Sequence, residues 1–132
     1  ACIQFLPTLD GKALFSVEDL KAIAPQQPLH PVQQAMVECH GSQCGFCTPG
    51  FVMSLWESYE RHRECGATPS RQALADELSG NLCRCTGYRP ILDAAEAMAD
   101  YPTRAVNEAE LLLKLKQLVA IQRWDSAHST QK

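Results

Sequence analysis

Four cysteines in two close pairs are the residues of this chain best suited to do chemistry. Gln43-Cys44-Gly45-Phe46-Cys47-Thr48-Pro49-Gly50 carries one pair as C-x2-C. Gly80-Asn81-Leu82-Cys83-Arg84-Cys85-Thr86-Gly87-Tyr88-Arg89-Pro90 carries the other as C-x-C. Residues 48–82 separate them, so the thiols arrive from two distinct segments. Four thiolates delivered in this way suit a [2Fe–2S] cluster, in which four cysteines hold two irons. The alternative is a zinc ion on the same four residues, Cys44, Cys47, Cys83 and Cys85, stapling a helical scaffold for subunit assembly.

The surroundings of the pairs favour iron. Each pair runs at once into a helix-start signal. Thr48 is a candidate N-cap with Pro49 at the first helical position, and Thr86 is a candidate N-cap with Pro90 in the first turn. Two helix N-termini would then face the sulfurs, and such termini favour negative charge. Gly45, Gly50, Gly80 and Gly87 are expected to let backbone come close to the site. Cys39, on an apolar helix stripe, reads as a small buried hydrophobe, and Cys65, among charges at a helix end, as an exposed thiol. His30, His40, His62 and His128 are scattered and none is assigned to a metal. Gln43 could serve the loop backbone, and Arg84 could balance charge or be solvated. No Ser/His/Asp arrangement, paired-carboxylate site or phosphate loop stands out.

The helices that must position these residues are legible from periodicity. A short helix is expected from Ser16 to about Ile23, ended by Pro25 and Pro28. His30-Pro31 opens another, with Val32, Ala35, Met36 and Cys39 on one stripe and Gly41 as its stop. The helix from Pro49 places Phe51, Val52, Leu55, Trp56 and Tyr59 on one face, Arg61, His62 and Arg63 in its last turn, and Gly66 at its end. Thr68-Pro69 starts the next, with Ala73, Leu74 and Leu78. A fourth runs from about Tyr88 with Ile91, Ala94, Ala95 and Met98. After a break at Tyr101-Pro102, Asn107-Glu108-Ala109-Glu110 resembles a capping box for a leucine-rich helix, Leu111 to Ile121, more apolar than a lone surface helix needs. The tail from Asp125 to Lys132 reads as polar and without regular structure. Cys2–Leu6 and Leu14–Ser16, joined through Asp10-Gly11, read as a small β-ribbon. The fold class expected is therefore all-α: a four-helix bundle with a short β-ribbon remnant.

Composition sets the limits. The chain has 132 residues, 45% of them hydrophobic, with a net charge of −3. This suits a globular domain and gives no sign of nucleic-acid or membrane binding. No apolar run reaches membrane-spanning length and no signal peptide is evident. Seven cysteines is an odd count, which argues against a disulfide framework and for a reducing, cytoplasmic setting. Ala1 in first place, with a strand-like stretch directly after it, suggests a piece of a longer protein.

Both cysteine motifs, together with His30-Pro31-Val32-Gln33 and Leu9-Asp10-Gly11-Lys12, resemble the second iron–sulfur domain of the xanthine dehydrogenase and aldehyde oxidase family over roughly residues 1 to 100. The His-Gly-Ser-Gln run before Cys44 is closer to xanthine dehydrogenases than to carbon monoxide dehydrogenase small subunits. The resemblance implies a four-helix bundle that relays electrons. They would pass from a molybdenum–pterin centre that hydroxylates a purine, through this cluster, to a second cluster, FAD and NAD. It implies Cys44, Cys47, Cys83 and Cys85 as the ligands, with Gln43 and Cys85 approaching the pterin. It matches Cys2 to the distant fourth ligand of a plant-type cluster whose other ligands lie outside this chain. The implied layout is a ferredoxin-domain remnant and connector at 1–24, the helical [2Fe–2S] domain at 25–101, and a helix and linker toward a flavin domain at 102–132. The implied partners are a molybdenum-binding subunit or domain and the flavin domain. The ribbon edge and the leucine-rich helix are the surfaces through which the piece would form a homodimer.

Overall fold

Every regular element among the described residues of the computed structural model is helical. These residues are 4–23 and 28–129, with side chains described through Val119. In chain order, α1 is Leu20–Ile23, α2 Pro31–Glu38, α3 Thr48–Cys65, α4 Arg71–Glu77, α5 Arg89–Ala97 and α6 Glu108–Ser129. Short 3-10 turns occupy Leu6–Leu9 and Met98–Asp100. The chain divides into two units, Ser16–Ala105 on one side and Ala1–Phe15 with Val106–Lys132 on the other.

In the first unit, α2 packs on α3 and α5, and α4 packs on α3 and α5. These helices enclose one core of Leu20, Val32, Met36, Phe51, Val52, Leu55, Leu74, Ile91 and Met98, all buried. The reason lies in the spacing. On α3, Phe51, Val52, Leu55, Ser58 and Tyr59 are buried on one stripe, as the periodicity predicts. On α5 the small residues Ala94 and Ala95 are fully or nearly fully buried, which lets α2 come close. A core residue such as Leu55 has nowhere to relax when truncated, and Leu55→Ala should cost about 2–5 kcal/mol.

The helix ends are set by local chemistry. His30 caps α2: its Nδ1 accepts the Val32 N–H at 3.3 Å, while Gln33 Oε1 accepts the His30 N–H at 3.1 Å. The Gln33 amide also donates to the Val17 carbonyl at 3.0 Å, fixing the strand of chain that precedes α1. Gly66 ends α3 in the left-handed conformation at φ 62°, and the following N–H groups return to the Arg63 and His62 carbonyls. Ser70 caps α4 by accepting the Ala73 N–H at 3.2 Å, so that helix begins two residues later than Thr68-Pro69 suggests.

The short helix α4 is tied on both sides by charge. Glu77 receives the Ser58 hydroxyl at 2.6 Å, and it meets His62 Nε2 at 2.9 Å and Arg61 at 3.0 Å, all on α3. Arg71 meets Asp93 at 2.7 Å, and also Glu96, on α5.

In the other unit no described residue forms a strand. Of the expected ribbon strands, the described residues 4–6 and 14–16 are not assigned to a strand, and Leu6–Leu9 between them is a 3-10 turn closed by the Thr8 hydroxyl bonding back to the Phe5 carbonyl at 2.6 Å. The first ribbon residues, with Cys2, lie outside the described residues, as does Pro25. Asn107 caps α6 by accepting the Glu110 N–H at 3.2 Å. Leu112, Leu113 and Leu118 are exposed, while Leu111, Leu115 and Val119 are partly buried. The helix continues through Ser129, so residues 125–129 of the expected tail are helical.

His30 is fully buried, and its ring stands edge-on to Tyr59 with centroids 5.3 Å apart. Its Nδ1 acts as an acceptor, so the ring is neutral, and Nε2 has no hydrogen-bond partner among the described residues. Burial lowers its pKa from 6.5 to about 4. The unfolded chain therefore binds the extra proton first. Stability should be full above pH 6.5 and fall as pH drops toward 4, read as a falling urea midpoint. His30→Asn, which keeps a cap acceptor but does not titrate, should flatten that slope.

Candidate metal centre

The turn that ends α2 delivers the first cysteine loop. His40 takes φ 56°, and the Gly41 N–H returns to the Met36 carbonyl at 2.8 Å. A Cβ on Gly41 would stand 2.7 Å from the Met36 sulfur, so a side chain there would have to push the end of Met36 aside. Gly45 follows at φ 83° and turns the chain between the cysteines. Cys47 is then the N-cap residue of α3, with Thr48 as the first helical residue. The cap is one residue earlier than expected, because the Thr48 hydroxyl is engaged with the Ser42 hydroxyl at 2.7 Å.

The second loop lies between α4 and α5. The Ser54 hydroxyl donates to Asn81 Oδ1 at 3.0 Å, tying the loop's start to α3. Its end is built around Tyr88, the N-cap residue of α5, which is left-handed at φ 66°. For a bulky residue that conformation costs on the order of 1–3 kcal/mol. It is held by three contacts: the Cys83 N–H donates to the phenol oxygen at 3.0 Å, the Tyr88 N–H donates to Thr86 Oγ1 at 3.2 Å, and the ring stands edge-on to Phe51 at 6.3 Å. Thr86 is therefore not the helix cap expected of it. Its hydroxyl sits 3.2 Å from the Cys83 sulfur. Of the four glycines expected to ease close approach, Gly45 and Gly87 are left-handed, whereas a Cβ on Gly50 would meet only Asn81 at 3.6 Å and one on Gly80 nothing.

The two loops converge sulfur to sulfur. Cys44 and Cys85 lie with their sulfurs 3.4 Å apart. Cys47 and Cys83 lie near enough across the loops for each to shift the other's pKa. Cys44 and Cys85 are exposed, and Cys47 and Cys83 are partly buried. Within each cross-loop pair the two thiols are shifted in opposite directions. In the outer pair the Phe46 backbone and the Cys85 thiol lower the Cys44 pKa, while Cys44 raises that of Cys85. In the inner pair the Thr86 hydroxyl and backbone bring Cys83 down to about 7, while burial and then Cys83 raise Cys47. A bound cation would deprotonate all of them.

Four cysteines brought together from two loops offer the four thiolates that a [2Fe–2S] cluster needs, and the same donor set could hold a zinc ion. Gln43 is exposed on the first loop beside Cys44, and Arg84 is exposed between Cys83 and Cys85. Cys39 is partly buried at the end of α2 with its pKa raised first by burial, and Cys65 is exposed at the end of α3. Neither joins the site. The contributions of Tyr88, Asn81 and Ser54 were not evident from the sequence. Only the run Thr86-Gly87-Tyr88 close behind Cys85 hints at a special turn.

The [2Fe-2S] binding domain family matches residues 16–96 of this chain. Among curated proteins, aldehyde oxidase 1 of Macaca fascicularis is 45% identical over 100 residues, covering 76% of this chain and 7% of that protein. Xanthine dehydrogenase of Oryza sativa subsp. japonica is 42% identical over 111 residues, covering 84% of this chain and 8% of that protein. Xanthine dehydrogenase of Blastobotrys adeninivorans is 48% identical over 99 residues, 75% of this chain and 7% of that protein. The chain thus spans less than a tenth of the length of these relatives.

The convergence of the loops can be tested without metal. Oxidising the metal-free chain with diamide, which takes up the two thiol hydrogens, should join Cys44 to Cys85. Peptide mapping by mass spectrometry reads the linkage, and predominant Cys44–Cys47 pairing would count against the geometry.

Proposed function

The chain belongs to the [2Fe-2S] binding domain family, and from that premise we propose that it is the electron-transfer domain of a xanthine dehydrogenase- or aldehyde oxidase-type oxidoreductase. The observation that carries this reading is the meeting of the Cys44 and Cys85 sulfurs inside the matched segment, with Cys47 and Cys83 near enough to shift each other's pKa. Those four residues would hold the cluster, which when bound supplies a carrier for one electron at a time.

The chain's own residues do the rest. The inner pair, Cys47 and Cys83, is partly buried, while the outer pair is exposed. The outer edge is therefore where a redox partner can come near. Gln43 is exposed beside Cys44 on that edge. In this reading Gln43 and Cys85 face the pterin of a molybdenum-binding domain or subunit, and the inner side leads toward a second cluster, FAD and NAD. Cys2 would serve the second cluster, and a flavin domain would follow α6. Whether the whole protein oxidises purines or aldehydes is decided in its molybdenum domain. The setting proposed is cytoplasmic, and no helix among the described residues is long and apolar enough to cross a membrane.

α3 starts directly behind Cys47, and α5 starts at Arg89, close behind Cys85. Their N-terminal dipoles favour the added negative charge of the reduced state. Purified anaerobically, the chain should contain about two irons and two sulfides, with visible absorption that dithionite bleaches. Cys83→Ser or Cys85→Ser should abolish that absorption. One zinc and no sulfide would instead favour the structural-scaffold alternative.

A further inference from the structure

The hydrogen bonds around Cys83 form a directed chain. The Tyr88 N–H donates to Thr86 Oγ1 at 3.2 Å and occupies a lone pair of that oxygen. The hydroxyl's single hydrogen is thereby left for its other neighbour, the Cys83 sulfur, also at 3.2 Å. A thiolate has no proton to give, so once Cys83 is deprotonated Thr86 must be the donor. The Tyr88 N–H can reach Thr86 because Tyr88 is left-handed at φ 66°, with its phenol holding the Cys83 N–H at 3.0 Å. The Thr86 hydroxyl therefore lies against the Cys83 sulfur alongside the Thr86 and Cys85 backbone.

Resting on the ligand assignment above, we propose that Thr86, oriented by Tyr88, is a positioning residue that sets the reduction potential of the centre through the Cys83 sulfur. A donor to a ligand sulfur stabilises the more negative, reduced state more than the oxidised one. Removing it shifts the equilibrium toward the oxidised form and makes the potential more negative. Cys44, Cys47 and Cys85 show no side-chain hydroxyl contact of this kind among the described residues, so the effect centres on the inner pair.

The test is redox titration of the cluster-loaded chain, followed by visible absorption and by electron paramagnetic resonance of the reduced state. Thr86→Val keeps the branched shape and removes the donor. It should shift the reduction equilibrium about tenfold toward the oxidised form, about 59 mV more negative for one electron. Thr86→Ser restores a hydroxyl and should return the potential to that of the unmodified chain. Thr86→Ala gives the same reading should the valine variant fold poorly. A loaded Val or Ala variant with an unchanged potential, or a Ser variant displaced as far as Val, overturns the proposal and leaves the ligand assignment intact. Metal analysis of the unmodified chain showing zinc without sulfide overturns both.

Discussion

The site exists because two loops from separate parts of the chain are held sulfur against sulfur, and everything else in the helical unit serves that constraint. The Cys44–Cys85 distance of 3.4 Å is set by α2 and α4, each of which packs on both α3 and α5. Sliding one helix by a single turn would move a loop by 5.4 Å and part the pairs. The core residues Phe51, Leu55, Leu74 and Ile91 resist such sliding because close-packed side chains have few alternative fits. Polar ties at the edge of the core add direction. Glu77 fixes α4 to α3 and Arg71 fixes it to α5, while Ser54 holds Asn81 at the mouth of the second loop. Such partly exposed ion pairs add little stability singly. Their effect here is to set the register of a helix only seven residues long.

Electrostatics then distinguishes the two sides of the site. The inner pair, Cys47 and Cys83, leans on the core and on Thr86, and the outer pair opens to the surface beside Phe46, which is 95% exposed. The outer pair and Phe46 thus form an accessible edge of the chain. That suits a domain spanning less than a tenth of its relatives' length. The backbone contributes as well. The left-handed Tyr88 stores strain where the second loop meets α5, and its phenol and N–H spend that geometry on Cys83 and Thr86.

At the far end of the same helices, the buried His30 shows how the fold tolerates a titratable group in its core. The imidazole stays neutral, accepts the Val32 N–H, and leans on the edge of Tyr59, whose phenol in turn accepts the Arg104 N–H at 3.1 Å. This cap and its neighbours fasten the start of α2 to the segment beyond α5. The first and last helices around the core are thereby joined away from the cysteines.

The cysteine spacing, the helix stripes and the stops at Gly41 and Gly66 belong to the sequence itself, because each rests on contacts within a few residues. The all-helical class and most helix boundaries followed from them. No ribbon strand is seen among the described residues, and the local turn that Pro7 and Thr8 close depends on side-chain to backbone bonding that alternating apolar residues do not reveal. The roles of Thr86 and Tyr88 were likewise hidden: a threonine ahead of a helix looks like a cap, and only the folded loop shows its hydroxyl turned to sulfur. Which cysteine meets which was also decided in three dimensions. Spacing along the chain groups Cys44 with Cys47 and Cys83 with Cys85, but the fold sets Cys44 against Cys85 across the loops, since distances between segments are fixed by the core between them and not by the residues within them.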